Sequence, residues 1–141
     1  MARIDSRWRT TCSRRTLLRS AATVGMLSGV PWLTGCGGAA EPIVEMGDGV
    51  QFDPLTLTVK VGATVTWQNT STGMVHTATG DPAAVVDPAN VRLPAGAVPW
   101  DSGPIRGGGS WSYRFDLPGE YRYCCVPHEL AGMVATIVVE P

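Results

Sequence analysis

Histidine is scarce in this sequence. His76 and His128 are the only two imidazoles in 141 residues, so a site that uses both leaves none to act as a base or to hold a second metal. The paired C-x2-C and H-x3-H spacings common in tetrahedral zinc sites are absent. Basic residues are also few once the first 35 positions are set aside. Lys60, Arg92, Arg106, Arg114 and Arg122 then stand against eleven acidic residues, a balance of −6. That excludes the basic footprint of a nucleic-acid binder, and it favours a positively charged protein partner through electrostatic steering. No apolar run reaches the roughly twenty residues of an ordinary membrane-spanning helix, and no segment keeps helical periodicity over a useful length.

What is present begins with an export signal. Arg3, Arg7, Arg9, Arg14, Arg15 and Arg19 form a basic head, followed by a modestly apolar stretch from Ser20 to Leu33. Ser13-Arg14-Arg15-Thr16-Leu17-Leu18-Arg19 resembles a twin-arginine signal; a Sec signal containing an arginine pair is the alternative. Leu33-Thr34-Gly35-Cys36 resembles a bacterial lipobox, whose cysteine is lipidated and becomes the new N-terminus. The expected organisation is therefore a signal over 1–35, a flexible tether over 36–42 and a folded domain over 43–141. Acyl chains on Cys36 would hold that domain at the outer face of the cytoplasmic membrane. The mature chain is expected to form one compact, monomeric domain, with no second domain expected after the last strand.

Short alternating segments broken by Gly, Pro, Asn and Asp predict an all-β sandwich or barrel of about seven to eight strands. Ile43–Met46 reads as the first strand. Leu55, Leu57, Val59 and Val61 alternate with polar residues as a half-buried strand. Gly62-Ala63 turns the chain, and Thr64–Asn69 returns with Val65 and Trp67 on one face. Val75–Thr79 follows, carrying His76. Ser110–Asp116 and Gly119–Cys125 are expected to pair across Leu117-Pro118, and Ala135–Val139 closes the sheet. The proline-rich stretch from Gly80 to Gly109 is long for a connection and reads as a wrap over the side of the sandwich, with local turns.

The chemistry gathers near the C-terminus. Cys125-Val126-Pro127-His128 and Met133 form C-x2-H-x4-M, a thiolate, an imidazole and a thioether within nine positions. With His76 they make the ligand set of a trigonal blue-copper site, in which Met133 is the weak axial ligand. Pro127 has no backbone N–H to continue a ladder, so the chain must loop there and present three ligands to one metal. Zinc has little use for a thioether, which favours a single copper.

Tyr121-Arg122-Tyr123-Cys124-Cys125-Val126-Pro127-His128-Glu129-Leu130-Ala131-Gly132-Met133-Val134 resembles the copper loop of plastocyanins and halocyanins, which are small cupredoxins. Leu57–Asn69 resembles the strand pair preceding that family's first histidine. Asp101-Ser102-Gly103, Phe115 and Leu117–Tyr121 also match, so the likeness runs from about Ile43 to Glu140. It implies a Greek-key fold, with His128 at the exposed edge delivering the electron and Pro127, Leu130, Ala131 and Gly132 as an apolar docking rim. Two departures stand out. Thr77 replaces the asparagine that usually follows the first histidine, and a single hydroxyl cannot supply an amide's pair of hydrogen bonds. Cys124 replaces an aromatic residue, so a remote aromatic electron-entry face is not implied.

The cysteines leave no disulfide pair to expect. Cys12 departs with the signal, Cys36 is acylated and Cys125 is a ligand. Cys124 points away from the metal if Cys125 points toward it. It is then an exposed free thiol, or an inert residue tucked under the Pro82–Pro104 segment. The function that follows is a one-electron carrier between protein redox partners, with copper delivery or storage as the alternative. An oxidase has too few histidines, and the mature chain has only Met46, Met74 and Met133 to offer as delivery ligands.

Overall fold

A computed structural model describes residues 41–141 of the chain. The expected signal over 1–35, with Cys12, and Cys36 and the Gly37–Ala40 stretch of the expected tether lie outside the described residues. Among the described residues no helix is long and apolar enough to cross a membrane.

Side-chain alternation builds two layers. In β1 (Ile43–Met46), Val44 and Met46 are buried while Ile43 and Glu45 face out; β4 (Thr64–Asn69) buries Val65, Trp67 and Asn69. Such period-two burial gives each strand one core face. With β2 (Phe52–Asp53) and β5 (Ser110–Arg114) they form a sheet of order β2-β1-β4-β5. The second sheet has order β3-β7-β6, from β3 (Thr56–Lys60), β6 (Gly119–Cys124) and β7 (Val134–Glu140). The β1–β4 and β3–β7 pairs are parallel, and the rest antiparallel. These seven strands form the expected all-β Greek-key sandwich.

An aromatic cluster fills the space between the sheets. Trp67 is fully buried, with ring centroids 5.5 Å from Trp111, 6.3 Å from Phe115 and 5.4 Å from Tyr123. Tilted and edge-to-face pairs of this kind each add about 0.5–1.5 kcal/mol beyond the area they bury.

Several expectations need correction. Ser110–Asp116 and Gly119–Cys125 do not pair: β5 lies beside β4, and β6 beside β7. The Leu117-Pro118 corner carries the chain across the sandwich, pinned by the Tyr121 hydroxyl, which donates to Leu117 O at 2.8 Å. Phe115 and Tyr121 consequently meet across the core, 4.9 Å apart and T-shaped. Gly62-Ala63 likewise joins β3 to β4 in the other sheet. Val75–Thr79 makes only isolated bridges, His76 with Ile105 and Thr79 with Asp101 and Cys124. Leu55 and Val61 are exposed beyond the ends of β3.

The Gly80–Gly109 segment is more than a wrap. It contains a 3-10 turn at Pro88–Asn90 and sends Val91, Trp100 and Ile105 into buried positions. Trp100 stacks on Tyr113 at 4.8 Å and meets Phe115, Tyr121 and Tyr123. Gly80 makes this possible, because a Cβ there would lie 2.6 Å from the Trp100 ring.

Candidate metal centre

The ligand loop starts where β6 stops. Cys125 is still extended, then Val126–Ala131 winds into 3-10 turns with a kink at His128 (φ −121°, ψ 17°). Gly132 ends them in the left-handed region at φ 84°, a conformation glycine adopts without steric cost. Four backbone bonds close the loop: His128 N–H to Cys125 O, Gly132 N–H to Glu129 O, Met133 N–H to His128 O and Cys125 N–H to Met133 O. They return the buried Met133 to the side of Cys125 before β7 begins.

His76 arrives from the facing segment. Its backbone exchanges hydrogen bonds with Ile105 at 3.1 and 2.8 Å. Asn69, wholly buried, donates to Met74 O and Ile105 O and accepts from Ser71 N–H, so one amide orders both flanks of the histidine. The His76 ring places Nε2 3.0 Å from Gly47 O. A carbonyl can only accept, so Nε2 carries the proton and Nδ1 keeps a free lone pair. Burial holds the His76 pKa below its ordinary value, only partly countered by the Gly47 hydrogen bond; His128 lowers it further and Asp48 opposes.

That lone pair faces sulfur. Cys125 Sγ lies 3.7 Å from His76 Nδ1 and 3.4 Å from His128 Nδ1. Ligand atoms of His76, Cys125 and His128 all lie within 4.8 Å of one another. Burial pushes the Cys125 thiol up, against hydrogen bonds from the Thr77 backbone, the His128 backbone and the Thr77 side chain. A metal cation at this point would displace the thiol proton. One soft sulfur and two imidazole nitrogens, with a thioether alongside, suit copper.

Thr77 does join the two ligand segments despite lacking an amide. Its backbone N–H donates to Cys125 Sγ at 3.3 Å, and its hydroxyl oxygen accepts from Val126 N–H at 2.9 Å.

Pro127, Leu130, Ala131 and Gly132 are exposed around the half-exposed His128, and Leu130 is 88 % accessible. Cys124 is fully buried outside the inner core cluster, which decides between the two readings in favour of a buried residue and against an exposed thiol. Thr79 pairs with its backbone in both directions. Burial, aided by the charge of Glu129 and by Cys125, pushes its thiol up to about 12. Cys124 and Cys125 are both free thiols.

Sequence reasoning missed Asn69, Gly47, Ile105 and Glu129. Asn69 carried a faint signal as a polar residue in phase with Val65 and Trp67. The other three act through contacts distant in sequence, which no local pattern announces.

A two-sheet β-sandwich with one Cys-His-His cluster at the end of the strands defines the cupredoxin class. Residues 40–140 match the model of copper binding proteins of the plastocyanin/azurin family, and the chain belongs to that family. It is 42% identical over 89 residues to a chloroplastic plastocyanin of Tetradesmus obliquus, a match covering 63% of this chain and 58% of the plastocyanin. The chain thus spans under two thirds of that relative's length. A halocyanin of Natronomonas pharaonis is 30% identical over 106 residues, 73% of this chain and 58% of the halocyanin. Among solved structures, an oxidized mutant of amicyanin superposes with a TM-score of 0.56 at 25% identity, covering 72% of this chain and 84% of that one. This family binds copper, and the donor set here fits one such ion.

Proposed function

We propose that His76, Cys125, His128 and Met133 hold a single type 1 copper, and that the protein is a non-enzymatic one-electron carrier. The observation that carries this reading is the convergence of two imidazole Nδ1 atoms on Cys125 Sγ, within 4.8 Å. Copper, when bound, supplies the Cu(I)/Cu(II) couple. The residues of the chain supply a fixed shell. Gly47 O fixes the His76 tautomer, Asn69 fixes its backbone, and Thr77 ties sulfur to the histidine segment. A shell that does not rebuild between oxidation states keeps electron transfer fast.

His128 is the exposed ligand through which the electron leaves, and Pro127, Leu130, Ala131 and Gly132 form the apolar rim on which a redox partner sits. The protein works as a monomer, exported and tethered through lipidated Cys36 to the outer face of the cytoplasmic membrane. The lipobox-like Leu33–Cys36 and the arginine pair support that location. Its donor and acceptor are then proteins of the same compartment.

The test is visible absorption of the copper-reconstituted protein. An intense blue thiolate-to-copper band, lost in Cys125→Ser, is expected. A colourless stoichiometric Cu(II) complex with Cys125 intact would overturn the assignment.

A further inference from the structure

Glu129 follows the exposed ligand His128 and precedes the highly exposed Leu130, yet it is itself only 4 % accessible. No basic side chain pairs with it among the described ion pairs. Its carboxylate is instead satisfied by three donors from one distant segment. Oε2 accepts from Val86 N–H at 2.8 Å, and Oε1 accepts from Asp87 N–H at 2.8 Å and Asn90 Nδ2 at 3.0 Å. A buried carboxylate is costly unless so bonded, and bonds to a charged acceptor are the strong ones. Burial alone would raise the Glu129 pKa, but the hydrogen bonds from Asn90, Asp87 and Val86 hold it below its ordinary value.

The donors are themselves anchored. Asp87 caps the Pro88–Asn90 turn by accepting from Ala89 N–H. Two residues on, Arg92 exchanges backbone bonds with Arg122 of β6, the strand that ends beside Cys125. The path from β6 through Arg92 and the turn to Glu129 therefore forms a closed brace around the first half of the ligand loop. His128 needs one. The His76 ring is fixed by Gly47 O, whereas the only hydrogen-bond contact of the His128 ring among the described residues is with Cys125 Sγ. Its orientation rests on the backbone, and Glu129 fixes the backbone on one side of it.

We infer that Glu129 is a positioning residue for His128, a latch that fastens the ligand loop to the Val86–Asn90 segment. This rests on the copper reading for its purpose but not for its existence, because the latch is made entirely of protein groups. The test therefore starts with metal-free protein. Glu129→Gln, which keeps the shape and loses the charge, should speed amide exchange at Val86 and Asp87 by about 30-fold, with the β3–β7 ladder unchanged. Carbon relaxation of the His128 ring should report greater mobility, with His76 unaffected. Asn90→Ala removes one donor of three and should shift both readouts the same way by a smaller factor; it decides the matter if Glu129→Gln does not fold. Unchanged exchange at Val86 and Asp87 in both variants would overturn the latch. Faster exchange with an unmoved His128 ring would reduce Glu129 to a structural brace and overturn its positioning role. Absence of the blue band in the wild-type protein would count against the copper reading alone, since neither measurement uses metal.

Discussion

The Trp67 indole N–H donates to the Tyr123 hydroxyl at 3.0 Å, joining the two sheets through the middle of the aromatic core. Both groups are fully buried, so neither can turn to water. Tyr123→Phe would strand the indole donor and should cost about 1–3 kcal/mol of stability, read as a lower denaturation midpoint with an unchanged slope. Trp67→Phe removes the donor but opens a cavity in the core, and should cost about 3 kcal/mol or more.

Gly80 gives the tightest steric prediction. A methyl group there would meet the Trp100 ring at 2.6 Å. Gly80→Ala should destabilise by about 1–3 kcal/mol through overpacking. Pairing it with Trp100→Phe should recover part of the loss, a coupling that a double-mutant cycle measures. Equal costs in the two backgrounds would mean that the ring is not what the new methyl meets.

Met133 is buried and returned to the side of Cys125 by backbone bonds. Met133→Leu should keep the blue colour and raise the reduction potential, because a weak donor to Cu(II) is lost. Met133→Gln should lower it. Voltammetry with the opposite pair of signs would remove Met133 from the axial position.

Cys124 should be chemically silent in the folded protein. With a thiol pushed up to about 12, its thiolate fraction at pH 8 is on the order of one in ten thousand, and its side chain is inaccessible. Alkylation mapped by peptide mass spectrometry should leave Cys124 unlabelled until denaturant is added, and no Cys124-linked dimer should form. Cys124→Ser should keep the blue band while costing about 1–3 kcal/mol for burying a hydroxyl.

Export should depend on the leader. Arg14→Lys with Arg15→Lys should block it, and Cys36→Ser should leave the chain unprocessed or mislocalised. Fractionation with globomycin-type inhibition of lipoprotein processing would read both. Normal export of the double lysine variant would mean a Sec signal.

The site was legible because its signal is local. Cys125, His128 and Met133 fall within nine positions, and their types name the metal before any fold is known. The inward faces were equally plain, from Val65 with Trp67 to Tyr121 with Tyr123. Strand pairing was not. Leu117-Pro118-Gly119 has the composition of a hairpin, yet β5 pairs with β4 and β6 with β7, so the chain crosses between sheets there, and local composition does not distinguish the two. The burial of Trp100 depends on where the Gly80–Gly109 chain lies, which no periodicity encodes. Nothing local marks Glu129, since its three donors lie about forty residues away.

The segment from Asn69 to Thr79 has a consequence of its own. At one end Asn69 belongs to β4 in the first sheet; at the other, Thr79 is stitched to Cys124 in the second. His76 hangs between, facing a sulfur carried at the end of the second sheet. A slip of one sheet over the other would pull on the two ends of the segment that sets the His76–Cys125 separation. The centre is therefore a strain gauge for the whole sandwich: repacking substitutions far from it, at Val44 or Ile137, should register as small shifts of colour before they register as loss of fold.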